Sequence, residues 1–177
     1  MSESAPKRYH PAHVAIHWLM ALLVFMMLGV GKFVMPGISP EDPQKVMMLQ
    51  SHTYIGGALT VLLIIRIVLL FMTKRPAPAD AGNAFLNFVG KAVHGLLYLF
   101  LFGMAASGLG LFQMANLPAV FSAATPYPSN FFDYLPRMGH GLTSWLLLAL
   151  VALHVGAALY HQFLKKDNLL ARMWFGK

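Results

Sequence analysis

The sequence predicts an all-α fold: an integral membrane four-helix bundle, a single domain over residues 1–177. Composition, four long apolar runs and the placement of basic residues predict it. Of the 177 residues, 58% are hydrophobic and 11% charged, whereas soluble domains are about a quarter charged. Lipid is therefore the solvent for most of the surface. Crossing about 30 Å of hydrocarbon takes about 20 helical residues, and four stretches reach that length, approximately 13–35, 48–72, 88–114 and 139–163.

The first stretch follows MSESAPKRYHPA, a polar segment with Lys7 and Arg8. A cleaved signal peptide would give the same beginning. His17 and Trp18 inside the run, and Lys32 with no small-residue cleavage site before it, point instead to a retained span. MPGISPEDP separates the first and second spans and TKRPAPADAGN the second and third, both rich in turn formers. The third connection, NLPAVFSAATPYPSNFFDYLPR, is long and carries aromatic residues and prolines that suit the membrane interface.

Lys7, Arg8, Lys74, Arg75, Lys91, Lys165, Lys166, Arg172 and Lys177 fall on one side of these spans, against Lys32, Lys45 and Arg137 on the other. The basic side is expected to be cytoplasmic, with both termini on it. Arg66 falls inside the second span. The formal charge of +7 is spread in short clusters beside apolar runs, which argues against a nucleic-acid partner and for orientation in a membrane. With no cysteine in the chain, thiolate metal sites, iron–sulfur clusters, disulfides and covalent c-type haem attachment are excluded.

Of the eight histidines, six lie in or at the edge of spans, where a polar group is costly and points to function. The topology gives each a depth: His17 inner, His52 outer, His94 inner, and on the fourth span His140 outer, His154 lower and His161 nearest the cytoplasmic surface. His140 and His154 are 14 residues apart, which puts them on nearly one helix face, roughly 21 Å apart along the axis. Matching depths pairs His52 with His140 and His17 with His154. Two neutral imidazoles facing each other are what a six-coordinate haem iron needs when it exchanges electrons without binding substrate. Core histidines bonded to carbonyls are the bland alternative for any one of them. A divalent-metal transporter is another, although such sites usually mix carboxylates with imidazoles, and the spans hold no Asp or Glu. The 12 methionines read mostly as soft apolar filler.

Gly56, Gly57, Gly103, Gly108 and Gly156 lie where a flat porphyrin needs room, and close helix packing explains them equally well. Arg66 is 14 residues after His52, on the same face toward the inner side, as a partner for a haem propionate or as a snorkelling anchor. Lys32 carries the same two readings at the outer end. His10 and His13 lie at the inner end of the first span with no assigned role.

Four segments, IHWLM at His17, SHTYIGG at His52, VHGLLY at His94, and GHGLTSWLLLALVALHVGAALYHQF followed by KKDNLLARM, resemble the bacterial cytochrome b561 family over almost the whole chain. That family is a group of four-helix di-haem proteins that includes superoxide oxidase and is related to the cytochrome b subunits of nickel–iron hydrogenases. The resemblance implies two b haems ligated by His17, His52, His140 and His154, in a bacterial inner membrane. It also implies ubiquinone near the cytoplasmic face with His161 beside it, seven residues beyond His154 and suited to supply a proton. His94 is left with three roles: covering the inner haem edge, lining the quinone pocket, or replacing an assigned ligand.

Superoxide oxidation at the outer face coupled to ubiquinone reduction is the activity the resemblance favours, with Lys32, Lys45 and Arg137 as a basic rim for the anion. Glu41, Asp42 and Asp133 share that side and bring its net charge close to neutral. An electron-transfer subunit fed by a partner hydrogenase or periplasmic dehydrogenase is the alternative, and a histidine-lined transporter a second. Short outer loops leave little surface for a standard protein interface, which favours the first.

Overall fold

The computed structural model describes residues 7–175. The first long helix, α1 (Pro11–Gly29), begins where Pro11 has no N–H to lose and the His10 ring accepts the Ala12 N–H at 3.3 Å. It runs on through a π-turn (Val30–Val34) and a 3-10 turn (Met35–Gly37). Helix α2 (Pro43–Met72) is capped by Asp42, which accepts the Gln44 N–H at 2.8 Å, and α3 (Ala84–Met114) by Asn83, which accepts the Phe85 N–H at 2.8 Å. A short α4 (Leu117–Phe121) follows, then α5 (Leu135–Leu159), which ends in a second π-turn (Tyr160–Lys165) and is succeeded by a 3-10 turn (Leu169–Met173).

Four helices are thus long and apolar enough to cross a membrane: Pro11–Gly37, Pro43–Met72, Ala84–Met114 and Leu135–Lys165. Each starts two to five residues before the start read from hydropathy. Hydropathy registers the apolar middle of a span, whereas the first turn is set by capping side chains and prolines that are themselves polar or neutral. Large side chains on all four face outward, among them Leu22 (66% exposed), Phe71 (86%), Phe102 (64%) and Leu142 (64%). Lipid tails solvate such a surface as well as another helix would, so packing and polar ties hold the bundle together.

Val24, Leu28 and Leu147 form the buried centre, surrounded by Leu59, Leu97, Phe100, Leu101, Met104, Leu148 and Val151. Polar ties join the helices above and below this layer. Arg66 Nε donates to Tyr98 Oη at 2.9 Å and its Nη1 to the His13 carbonyl at 3.2 Å, linking α2 to α3 and to α1. Lys32 Nζ donates to the Gly141 carbonyl at 3.3 Å, linking the π-turn after α1 to α5.

The third connection is a packed cap rather than an open surface loop. Ala115, Leu117 and Val120 are buried against Val46, Leu49, Tyr127, Phe131 and Tyr134, so its aromatic residues cover the start of α2 and the end of α3.

Lys45 departs from its expected place on the outer rim. Its ammonium donates to the carbonyls of Met35 (2.5 Å) and Ile38 (2.9 Å), where α1 ends, and the residue is 9% exposed. It adds a second donor to the Met35 carbonyl, which already accepts the Ile38 N–H at 3.3 Å, and supplies one to the Ile38 carbonyl. Lys45→Met keeps the stem and removes the donors. It is expected to lower stability by about 1–3 kcal/mol, read as a drop of several degrees in the unfolding temperature of the purified protein. An unchanged temperature would show that water replaces the ammonium.

Candidate functional site

The end of the bundle where α2 and α5 begin, expected from the basic residues to be the outer one, brings His52 of α2 against His140 of α5, with ring centroids 6.2 Å apart and planes inclined at 67°. A glycine lies beside each ring. A Cβ at Gly31, in the π-turn after α1, would stand 3.3 Å from His52 Cε1, and one at Gly108 of α3 would stand 3.6 Å from His140 Cε1. Ser107 fixes the tautomer of His140. Its hydroxyl donates to the Gly103 carbonyl at 2.7 Å, so at 3.0 Å from His140 Nδ1 its oxygen accepts the ring N–H. Nε2 is then the bare nitrogen, the arrangement a metal-binding histidine uses. His52 Nδ1 is buried without a hydrogen-bond partner.

Two cations stand next to this pair. Lys32 lies over the Trp145 ring at 4.1 Å and bonds the carbonyl of Gly141, the residue after His140. Arg137 stacks on Phe132 at 4.7 Å, and its Nη1 comes within 3.0 Å of where a Cβ on Gly141 would be. The carboxylates of the same side are engaged in their own turns: Ser39 bonds Glu41 and holds its carboxyl below the usual range, Asp42 caps α2, and Asp133 accepts from Asn130 at 2.7 Å. Lys32 and Arg137, unlike Lys45, are therefore the charges nearest the outer pair.

At the opposite end, the expected inner one, His17 of α1 meets His154 of α5 with centroids 6.3 Å apart and planes at 77°. His94 of α3 lies closer to His154, at 5.1 Å and 74°, and its ring bonds the Gly90 carbonyl one turn back. Arg66 reaches this end, its guanidinium held by Tyr98 and the His13 carbonyl. His13 is 1% exposed and stacked on Tyr9 at 5.3 Å. His10 is spent on its helix cap.

His161 sits in the π-turn beyond α5, and its Nδ1 is 2.5 Å from Asp167 Oδ2. Lys166 and Asn168 on either side of Asp167 have left-handed φ of 56° and 55°, a conformation that turns the chain sharply and brings the carboxylate back under the ring. The hydrogen bond from His161 holds the Asp167 carboxyl below the usual carboxylate range. Reading His161 by helical spacing alone missed this partner, because the return depends on two backbone angles outside the helix. The one signal in the sequence is an Asn after Asp167, since Asn adopts that conformation more readily than most residues.

The histidine pairs fit a haem iron by chemistry and by space. Two metal–imidazole bonds of about 2 Å each, plus the half-widths of two rings, account for separations such as 6.2 and 6.3 Å. At 5.1 Å from His154, His94 stands too close to face it across a metal. Among the described residues no three His, Cys, Asp or Glu side chains converge on one point.

The comparisons agree with this chemistry. The sequence profile of prokaryotic cytochrome b561 matches residues 8–176. The chain is 28% identical to cytochrome b561 homolog 2 of Escherichia coli (strain K12) over 180 residues, 96% of this chain and 93% of that protein. It is 27% identical to the probable superoxide oxidase CybB of Yersinia pestis over 171 residues, 94% and 96% of the two chains, and 22% identical over the same shares to cytochrome b561 homolog 1 of Escherichia coli (strain K12). With four membrane-crossing helices and a profile that covers nearly all of it, the chain belongs to the prokaryotic cytochrome b561 family, multi-pass bacterial membrane proteins that carry electrons on haem b.

Proposed function

We propose that the chain holds two b haems, one between His52 and His140 and one between His17 and His154, and uses them to oxidise superoxide at its outer face and reduce ubiquinone near its inner face. The observation that carries this reading is the single helix α5, which presents His140 and His154 to two facing histidines at two depths. When bound, the haems supply one-electron oxidation and reduction.

The chain's own groups do the rest. Lys32 and Arg137 place positive charge one helical turn or less from His140, where it attracts a small anion toward the outer haem site and favours its approach over that of neutral molecules. Arg66 keeps a cation beside the inner pair, in place to neutralise a propionate. His94 packs edge-on against His154 as a neighbour of the inner site rather than a ligand. His161 and Asp167 form an imidazole–carboxylate pair beyond it, able to deliver a proton to a reduced quinone from the cytoplasmic side.

The relative described as a probable superoxide oxidase supports the choice of donor and acceptor. The competing reading, an electron-transfer subunit served by a partner, draws on Phe132 and Leu135, which are exposed beside Arg137 at the outer end. A reduced-minus-oxidised spectrum of the purified protein, with haem quantified per chain, is expected to show two haems b. Added superoxide is expected to drive ubiquinone reduction. Two haems with no response to superoxide would favour the partner-fed reading, and a protein without haem would end both.

A further inference from the structure

At the end of the bundle where α1 begins and α2 and α5 finish, two cavities adjoin. One, of about 470 Å³, is a cleft lined by Lys7, Arg8 and Arg172 together with Asp167 and Asn168. The other, of about 300 Å³, is a groove lined by Leu170, Ala171, Trp174 and Phe175. Arg8 and Ala171 line both, so a basic mouth opens directly onto an apolar floor. We infer that this double cavity is a binding site for an anionic glycerophospholipid, with its phosphate in the cleft and the start of an acyl chain in the groove.

Three observations support that occupant. Lys7 and Arg172 line the cleft with one carboxylate among the described residues, Asp167, and that carboxylate is already engaged by His161; an anion is therefore the complementary ligand. Arg172 is pre-positioned, since its Nη1 donates to the Ala77 carbonyl at 2.8 Å and its backbone carbonyl accepts the Tyr9 N–H at 3.1 Å. This holds the guanidinium in place with other N–H groups left for phosphate oxygens. Trp18 Nε1 donates to the Met173 carbonyl at 2.6 Å and Trp174 stacks edge-on against Trp18 at 5.4 Å. The groove wall is thereby pinned to α1, in the aromatic setting typical of a membrane interface. Free phosphate would use the cleft alone; the adjoining groove is what selects a lipid.

The site is independent of how the haem-bearing histidines act, and so is its test. The haem-loaded protein in neutral detergent is titrated with phosphatidylglycerol or phosphatidylcholine and bound lipid is counted by native mass spectrometry. The wild type is expected to retain one phosphatidylglycerol in preference to phosphatidylcholine. Lys7→Gln with Arg172→Gln is expected to weaken retention roughly 20-fold, and Lys91→Gln, the same kind of charge removal on exposed α3 at the same end, by less than about twofold. An unchanged reduced-minus-oxidised spectrum confirms that each variant is folded. Should the double variant lose its haem, Lys7→Gln alone, ahead of the first helix, reads the same effect at roughly fivefold. Equal weakening by Lys91→Gln would mean a diffuse surface potential, and equal retention of phosphatidylcholine would mean that charge plays no part. Displacement of the lipid by inorganic phosphate or by ubiquinone would give the cavity to that ligand. Each of these four results would overturn the proposal.

Discussion

Replacing His140 by alanine is expected to halve the haem content, removing the outer haem and sparing the inner one, and His17→Ala is expected to do the reverse. The asymmetry follows from the pairing: His140 faces His52 and His17 faces His154, with the buried layer of Val24, Leu28 and Leu147 between the two pairs. Loss of one imidazole would leave the haem proposed at that pair with a single protein ligand while the other pair would keep both. Haem quantification and a redox titration check this, since each variant should titrate as one component where the wild type titrates as two. His94→Ala supplies the control and should keep both haems, because His94 lies beside His154 rather than opposite it. Equal loss of both haems from His140→Ala and His17→Ala in a folded protein would sink the pairing.

The second large effect is expected at the inner end, on ubiquinone reduction with haem content unchanged. His161→Gln removes the proposed proton donor and should slow the reaction by about 10²-fold or more, within the usual range for general acid catalysis. Asp167→Asn should cost less, since it keeps the imidazole and removes only the carboxylate that the ring bonds. In the wild type, the hydrogen bond from His161 depresses the Asp167 carboxyl. Its contribution to stability is therefore complete above the ordinary carboxylate range and is lost only as pH falls through the lowered value, so the pair stays intact at neutral pH. A rate of ubiquinone reduction in Asp167→Asn equal to that of the wild type would show that the carboxylate only holds the loop in place.

Much of this architecture could be read from residues alone, for identifiable reasons. Lipid imposes a length and a polarity on every span, so the apolar runs around His17, His52, His94 and His154 show the four helices, and a family profile covers the same chain. Relative height is also legible: position along a helix converts into height by a fixed rise, and the rings of His52 and His140, and of His17 and His154, lie side by side in the structure. What was not legible depends on side chains that act across chain reversals. Lys45 counts as a rim charge until the carbonyls of Met35 and Ile38 are seen around it. Asp167 counts as one more polar tail residue until left-handed Lys166 and Asn168 fold it under His161. The aromatic loop after α3 suits an interface by composition, but its burial of Leu117 and Val120 is a tertiary fact. The two π-turns, one carrying Gly31 beside His52 and the other carrying His161, leave no mark in hydropathy, although such turns recur at functional sites.

The layer of Val24, Leu28 and Leu147, with Phe100, Leu101 and Met104 around it, has an electrical consequence. On the proposed function, electrons pass inward between the two histidine pairs across this apolar layer, and net charge moves with them through the middle of the protein. Turnover then works with or against the transmembrane voltage, at about 2.3 kcal/mol per 100 mV for each charge that crosses the full field. The protein would behave as a conductor set in an insulator. On the proposed function, collapsing the voltage with an ionophore would change its steady-state rate even though the charge that crosses is the electron alone.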